Sequence, residues 1–195
     1  MGQQLATQAH DRFNDRTRAR GIRVAGIAII LLGAGAALLP AEKGISSDVM
    51  GAMLVAAGLI ETIAGSLRRQ VRPLAMAAGA VTVLAGLLFL INPETRFFPS
   101  VTPIIGWLVL RALILGYAST HSTGSVRTWT ATSAGIDLLL AVLLIAGLSI
   151  AAIVVSVFGP TPQLIASFAW VMAASFVANG MMLLEVASCE RQAAS

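Results

Sequence analysis

Glu61, Arg111 and Asp137 each interrupt a run of apolar residues long enough to cross a lipid bilayer. An ionised side chain at the centre of a helix in lipid costs about 2.5–3.5 kcal/mol by insertion scales, so such residues turn toward a bundle interior and find partners there. Counted from the same side of the membrane, Glu61 and Asp137 lie about six residues inside their runs and Arg111 about eight, which at ~1.5 Å per residue sets all three at roughly 9–12 Å depth. Arginine keeps its proton in a protein, so a carboxylate at matching depth is what offsets its burial. The expected contact is an ion pair of Arg111 with Asp137 or Glu61. Its chemistry is either a lock on helix register or a charged step on a path for protons or small solutes. Glu185, nearer the end of the last run, and Glu61 can instead extend toward the interface. Asn179 is the main amide inside a run, and an interhelical hydrogen bond from it is worth ~0.6–2 kcal/mol.

No pattern of a soluble enzyme accompanies these charges. There is no nucleophile elbow or zincin motif, and Gly33–Ala34–Gly35 lacks the Lys and Ser/Thr that a phosphate loop needs. His10 and His121 have no second ligand at metal spacing, so neither metal nor cofactor is expected. Cys189 is the single cysteine and forms no internal disulfide. The formal net charge of +4 comes from arginines beside the apolar runs rather than from a recognition helix, which argues against nucleic acid as a partner. The chain is read as non-enzymatic.

The elements that must position these residues are plain. The chain is 57% hydrophobic and 11% charged with a mean hydropathy of +0.85, against roughly 25% charged in a soluble domain. Six runs, at about 23–39, 49–67, 73–91, 101–119, 131–155 and 163–187, mostly match the ~17–25 residues that span hydrocarbon. Helices satisfy their own backbone in lipid, and the runs lack the alternation of a barrel. The expected fold is an all-α integral membrane protein of six transmembrane helices. Residues 1–21 form a basic N-terminal segment, 22–188 the membrane domain and 189–195 a tail. Ten of the 13 Lys and Arg fall in the N-terminal segment with Arg23, the even loops and the tail, while Lys43 and Arg96 fall in the odd loops. By the positive-inside rule both termini are cytoplasmic. Tyr117 and Trp129 read as anchors at the inner interface, and Trp107 and Trp170 as deeper, packed within the bundle. Pro40, Pro93, Pro99 and Pro160 stand at run ends, where proline is tolerated.

The runs also repeat. Gly26, Gly33 and Pro40 recur as Gly79, Gly86 and Pro93, each 53 residues on. A looser third copy at 134–149 sets Gly135 in the register of Gly26. Each unit is one helix out and one back, so three hairpins share one orientation as parallel repeats. Glycines seven apart (Gly26 and Gly33; Gly51, Gly58 and Gly65; Gly79 and Gly86) line single helix faces and permit close backbone approach. The partners expected are the lipid bilayer and either a second copy or another membrane protein.

The hairpin repeats, the glycine-rich helices ending in Pro40 or Pro93, and the segment GIDLLLAVLL with Asp137 resemble the HdeD family of small bacterial inner-membrane proteins associated with acid resistance. The resemblance covers about residues 22–188. It implies six spans, termini in the cytoplasm and a non-enzymatic role in envelope or acid-stress tolerance. At FVANGMMLL the chain departs from the family, with Asn179 where relatives carry an acid, so a protonation role there is lost. A small transporter or channel using Glu61, Arg111 and Asp137, and an accessory subunit of a membrane complex, are the rival readings.

Overall fold

A computed structural model describes residues 2–38, 47–91, 101–158 and 162–192, with side chains described for 15–38, 48–91, 103–146 and 170–191. Six helices follow in order: α1 (Gly2–Leu38), α2 (Ser47–Ser66), α3 (Arg72–Ile91), α4 (Val101–Thr120), α5 (Gly124–Phe158) and α6 (Pro162–Gln192). Each contains a stretch long and apolar enough to cross a membrane. Only 33% to 56% of each such stretch is buried in the bundle, so the rest presents apolar surface outward. Leu31, Leu84, Leu113 and Leu139 are all more than half exposed on that surface. This is the pattern of a protein solvated by lipid, and the fold is the all-α, six-helix membrane type.

Helix bounds differ from the apolar runs at two places. α1 is continuous from Gly2, so the basic N-terminal segment runs into the first span as one helix. α5 begins at Gly124, seven residues before the run near 131, because Ser125, Thr128 and Thr130 lower hydropathy without breaking a helix. The prolines at 40, 93, 99 and 160 lie outside the described residues.

The helices form a ring in chain order, closed by α6 against α1. The most extensive contacts are α2 with α3, α6 with α1, and α4 with α5. Those three interfaces join successive hairpins, whereas contacts inside each hairpin are sparser. Glycines explain two of these interfaces, α2 with α3 and α6 with α1, whereas a Cβ on Gly106, Gly116, Gly124 or Gly135 of α4 and α5 would meet nothing within 4 Å. A Cβ on Gly58 would stand 2.5 Å from the Val83 nitrogen, and one on Gly79 would stand 2.6 Å from the Thr62 nitrogen. Gly51, Gly65 and Gly86 meet the facing helix just as closely, so α2 and α3 touch backbone to backbone. A Cβ on Gly26 would stand 2.9 Å from the Gly180 carbonyl oxygen and one on Gly33 3.0 Å from that of Ala173, so the absence of both lets α1 seat on α6. Gly180 completes that contact and was not evident from the seven-residue spacing.

Gly135 does not take the expected place. It is exposed, with open space where a Cβ would stand. The buried stripe of α5 is Thr130, Ala134, Asp137, Ala141 and Leu144, and helical periodicity turns Gly135 to the outer surface. Ala134, one residue earlier, packs with Ala78 and Leu115 between α3, α4 and α5. In this register Ile29, Thr82 and Asp137 are the corresponding central residues of α1, α3 and α5, all buried.

The ring interior holds Ile22, Ile29, Met50, Leu54, Phe89, Trp107, Leu108, Met172, Phe176 and Leu183. Trp107 meets Phe176 edge to face at 6.3 Å between ring centres. Trp170, expected inside, is 62% exposed on the outer face of α6. Half a helical turn separates it from the buried Met172, so periodicity rather than hydrophobicity decides its side.

Candidate functional site

Arg111 is the centre of a polar network that links α2, α3, α4, α5 and α6. It is 1% exposed, and Asp137 and Glu61 beside it are 0% and 4% exposed. Arg111 Nη1 donates to Asp137 Oδ2, and to Ser175 Oγ at 3.2 Å. Its Nη2 donates to Glu61 Oε1 at 3.1 Å. Ser175 Oγ in turn donates to Asp137 Oδ1 at 2.6 Å. The second Glu61 oxygen lies 3.5 Å from Thr82 Oγ1, which accepts from Trp107 Nε1 at 3.0 Å. The Thr82 hydroxyl also reaches the Ala78 carbonyl, 3.1 Å away.

The sequence placed one cation and two acids at similar depth, and the fold brings all three together. Arg111 pairs with both acids, where a single partner had been expected. One fixed positive charge thus faces two carboxylates in a medium that screens little. Ser175 and Thr82 supply hydroxyls to the carboxylates, so few lone pairs are left unmet. Neither residue was singled out from sequence. The signal lay in their positions: Thr82 is seven residues from each of the buried Ala75 and Phe89, and Ser175 is four residues from Asn179 on the inner face of α6.

Asn179 and Glu185 stand apart from this cluster. Asn179 is buried, but its Oδ1 accepts no hydrogen bond among the described residues, so interhelical bonding through that oxygen is not what holds α6. Glu185 is half-buried near the end of α6, where its carboxylate meets Ser188 Oγ of the same helix at 3.4 Å. Its place is the interface rather than the core.

A stripe on α5 leads from one end of the bundle to Asp137. Val126, Thr130, Ser133 and Asp137 follow at helical spacing, and the last three are buried. Thr130 Oγ1 and Ser133 Oγ have no hydrogen-bond partner among the described residues. Buried hydroxyls without partners are rare in native folds, and these two mark a polar track through apolar surroundings.

That end of the bundle gathers most of the arginines. Arg69 pairs with Asp15 of α1 and with a second acid, Glu190 of α6, at 3.7 Å. The Arg69 backbone N–H donates to the same Glu190 at 3.1 Å, and Arg18 Nε donates to the Leu67 carbonyl at 3.0 Å. Gln70 and Thr123 exchange two hydrogen bonds, tying the α2/α3 turn to the α4/α5 turn. Arg68, in the first of these turns, is buried, and burial lowers its pKa to about 10 against the opposing pull of Glu61. It remains protonated at neutral pH. No family model, curated protein or solved structure matches the chain. Fold and site together define a multi-pass membrane protein with a buried charge network.

Proposed function

We propose that the protein is a non-enzymatic, HdeD-like component of the bacterial inner membrane that serves envelope tolerance of acid. Termini in the cytoplasm are supported by the positive-inside rule, since Arg16, Arg18, Arg20, Arg23, Arg68, Arg69, Arg72, Arg127 and Arg191 share one end of the spans. The observation that carries the reading is the Glu61–Arg111–Asp137 network. It is closed off from solvent and bridges helices from all three hairpins, so the bundle keeps its central charges away from external protons. The resemblance of residues 22–188 to the family supplies the biological setting.

A second reading is favoured by one specific observation. The partnerless buried hydroxyls of Thr130 and Ser133 lie on the same face of α5 as Asp137, on the side of the arginine-rich end, which supports a proton path toward a pair of acids sharing one cation. In that case the network is a relay rather than a lock.

The test is acid-shock survival and cytoplasmic pH in a null strain, complemented at matched membrane levels by wild type, Arg111→Gln or Asp137→Asn. The lock reading expects folded variants to rescue survival. Rescue by wild type alone, with folded variants present in the membrane, favours the relay. A null strain as acid-tolerant as its parent removes the stress role.

A further inference from the structure

Arg68 sits where an arginine is seldom left alone. It is 4% exposed, and its Nε is buried without a hydrogen-bond partner. Among the described residues its guanidinium makes no ion pair or hydrogen bond, while Arg69 beside it is held by Asp15 and Glu190. Glu61 and Glu190 act on Arg68 through space rather than by contact. A buried charge with no contacting counter-charge is costly, and the planar guanidinium is shaped to donate to two oxygens of one anion.

The space for such an anion is present. Arg68 lines a cleft of about 220 Å³ bordered by Arg69, Val126, Val186, Cys189 and Glu190. The Glu190 carboxylate is already engaged by the Arg69 backbone and side chain, which leaves Arg68 the uncommitted donor. Val126 and Val186 give the cleft an apolar wall. The cleft lies at the arginine-rich end of the spans, and basic pockets between helices at span ends are where membrane proteins hold anionic lipids.

We propose that this cleft binds a phosphate-bearing anion, with Arg68 as the bidentate donor. Two sources carry that chemistry, the headgroup of an anionic phospholipid and free phosphate, and one assay separates them. Cys189 lines the cleft and is the only cysteine of the chain, so its modification reports occupancy with no engineered label. The full chain in a phosphate-free detergent is treated with a small neutral thiol reagent, alone or with phosphatidylglycerol, phosphatidylcholine or inorganic phosphate.

Phosphatidylglycerol is expected to slow Cys189 modification by at least about fivefold, the equivalent of one basic contact at an anionic surface. Phosphatidylcholine is expected to have little effect. Protection by inorganic phosphate as strong as by the lipid supports the site and assigns it to soluble phosphate. Arg68→Gln is expected to abolish protection. Val126→Trp fills the cleft while keeping Arg68, so loss of ligand-dependent protection there supports the site even if Arg68→Gln does not fold. Equal protection by phosphatidylglycerol and phosphatidylcholine, or protection that persists in both variants, overturns the proposal.

Discussion

Arg111 joins two acids from two different helices, and this sharing sets the consequence of losing it. Arg111→Gln leaves Glu61 and Asp137 buried beside one another without a cation. Removing one partner of a buried pair costs about 3–5 kcal/mol, so the variant is expected to unfold at markedly lower denaturant and to accumulate poorly in the membrane. Wild-type yield and unfolding midpoint for Arg111→Gln would remove the pairing as a source of stability. Ser175→Ala is milder, because Arg111 still holds Asp137. It forfeits the hydroxyl shared by those two groups, a loss of about 1–3 kcal/mol for hydrogen bonds to charged groups, read from the same titration.

At the scale of the element, close packing at the glycines seats α2 on α3 and α1 on α6. Gly58→Ala sets a Cβ against backbone atoms of α3 at 2.5 and 2.8 Å, and backbone cannot swing aside as a side-chain tip can. Loss of α2/α3 docking is expected, with overpacking costing about 1–3 kcal/mol. Gly135→Ala is the contrast. Its Cβ enters open space, and exchanging a helical glycine for alanine gains about 0.5–1 kcal/mol. Thermal unfolding should order the three proteins as Gly135→Ala, wild type, Gly58→Ala, and a Gly58→Ala protein as stable as wild type contradicts the backbone contact. The α2/α3 turn also stores strain. Val71 has φ of 48°, a left-handed conformation that costs a β-branched residue about 1–3 kcal/mol. Asparagine tolerates that region, so Val71→Asn is expected to raise the unfolding temperature.

For the whole molecule, the ring of hairpins puts Asp15 and Arg18 of α1, Glu190 of α6, the α2/α3 turn and the α4/α5 turn at one end, stitched by Arg18, Arg69, Gln70 and Thr123. Cys189 lies at that end, half-buried beside Glu190. If the arginine-rich end faces the cytoplasm, a membrane-impermeant thiol reagent should label Cys189 in inside-out vesicles and leave it unmodified in intact cells. The opposite labelling would invert the topology. Mutual contact between the hairpins exceeds contact within them, so the three units depend on one another, and unfolding is expected as one transition rather than three.

Six apolar runs, short loops and the bias of the arginines determined the fold class and the location in lipid, because the bilayer imposes a length and a polarity that composition alone reveals. The depth of Glu61, Arg111 and Asp137 was readable for the same reason, and the seven-residue glycine spacing marked the packing faces of α1, α2 and α3. Sequence could not show that one arginine serves both acids, nor that Ser175, Thr82 and Trp107 complete their hydrogen bonds, since those contacts join helices that are distant along the chain. A single residue of helix rotation moved Gly135 outward and Ala134 inward, and such a rotation leaves hydropathy unchanged. Only the closed ring decided that glycines seat α2 on α3 and α1 on α6, and that Arg68 lines a cleft without a contacting acid while Arg69, its neighbour in the chain and at the same cleft, is held by Asp15 and Glu190.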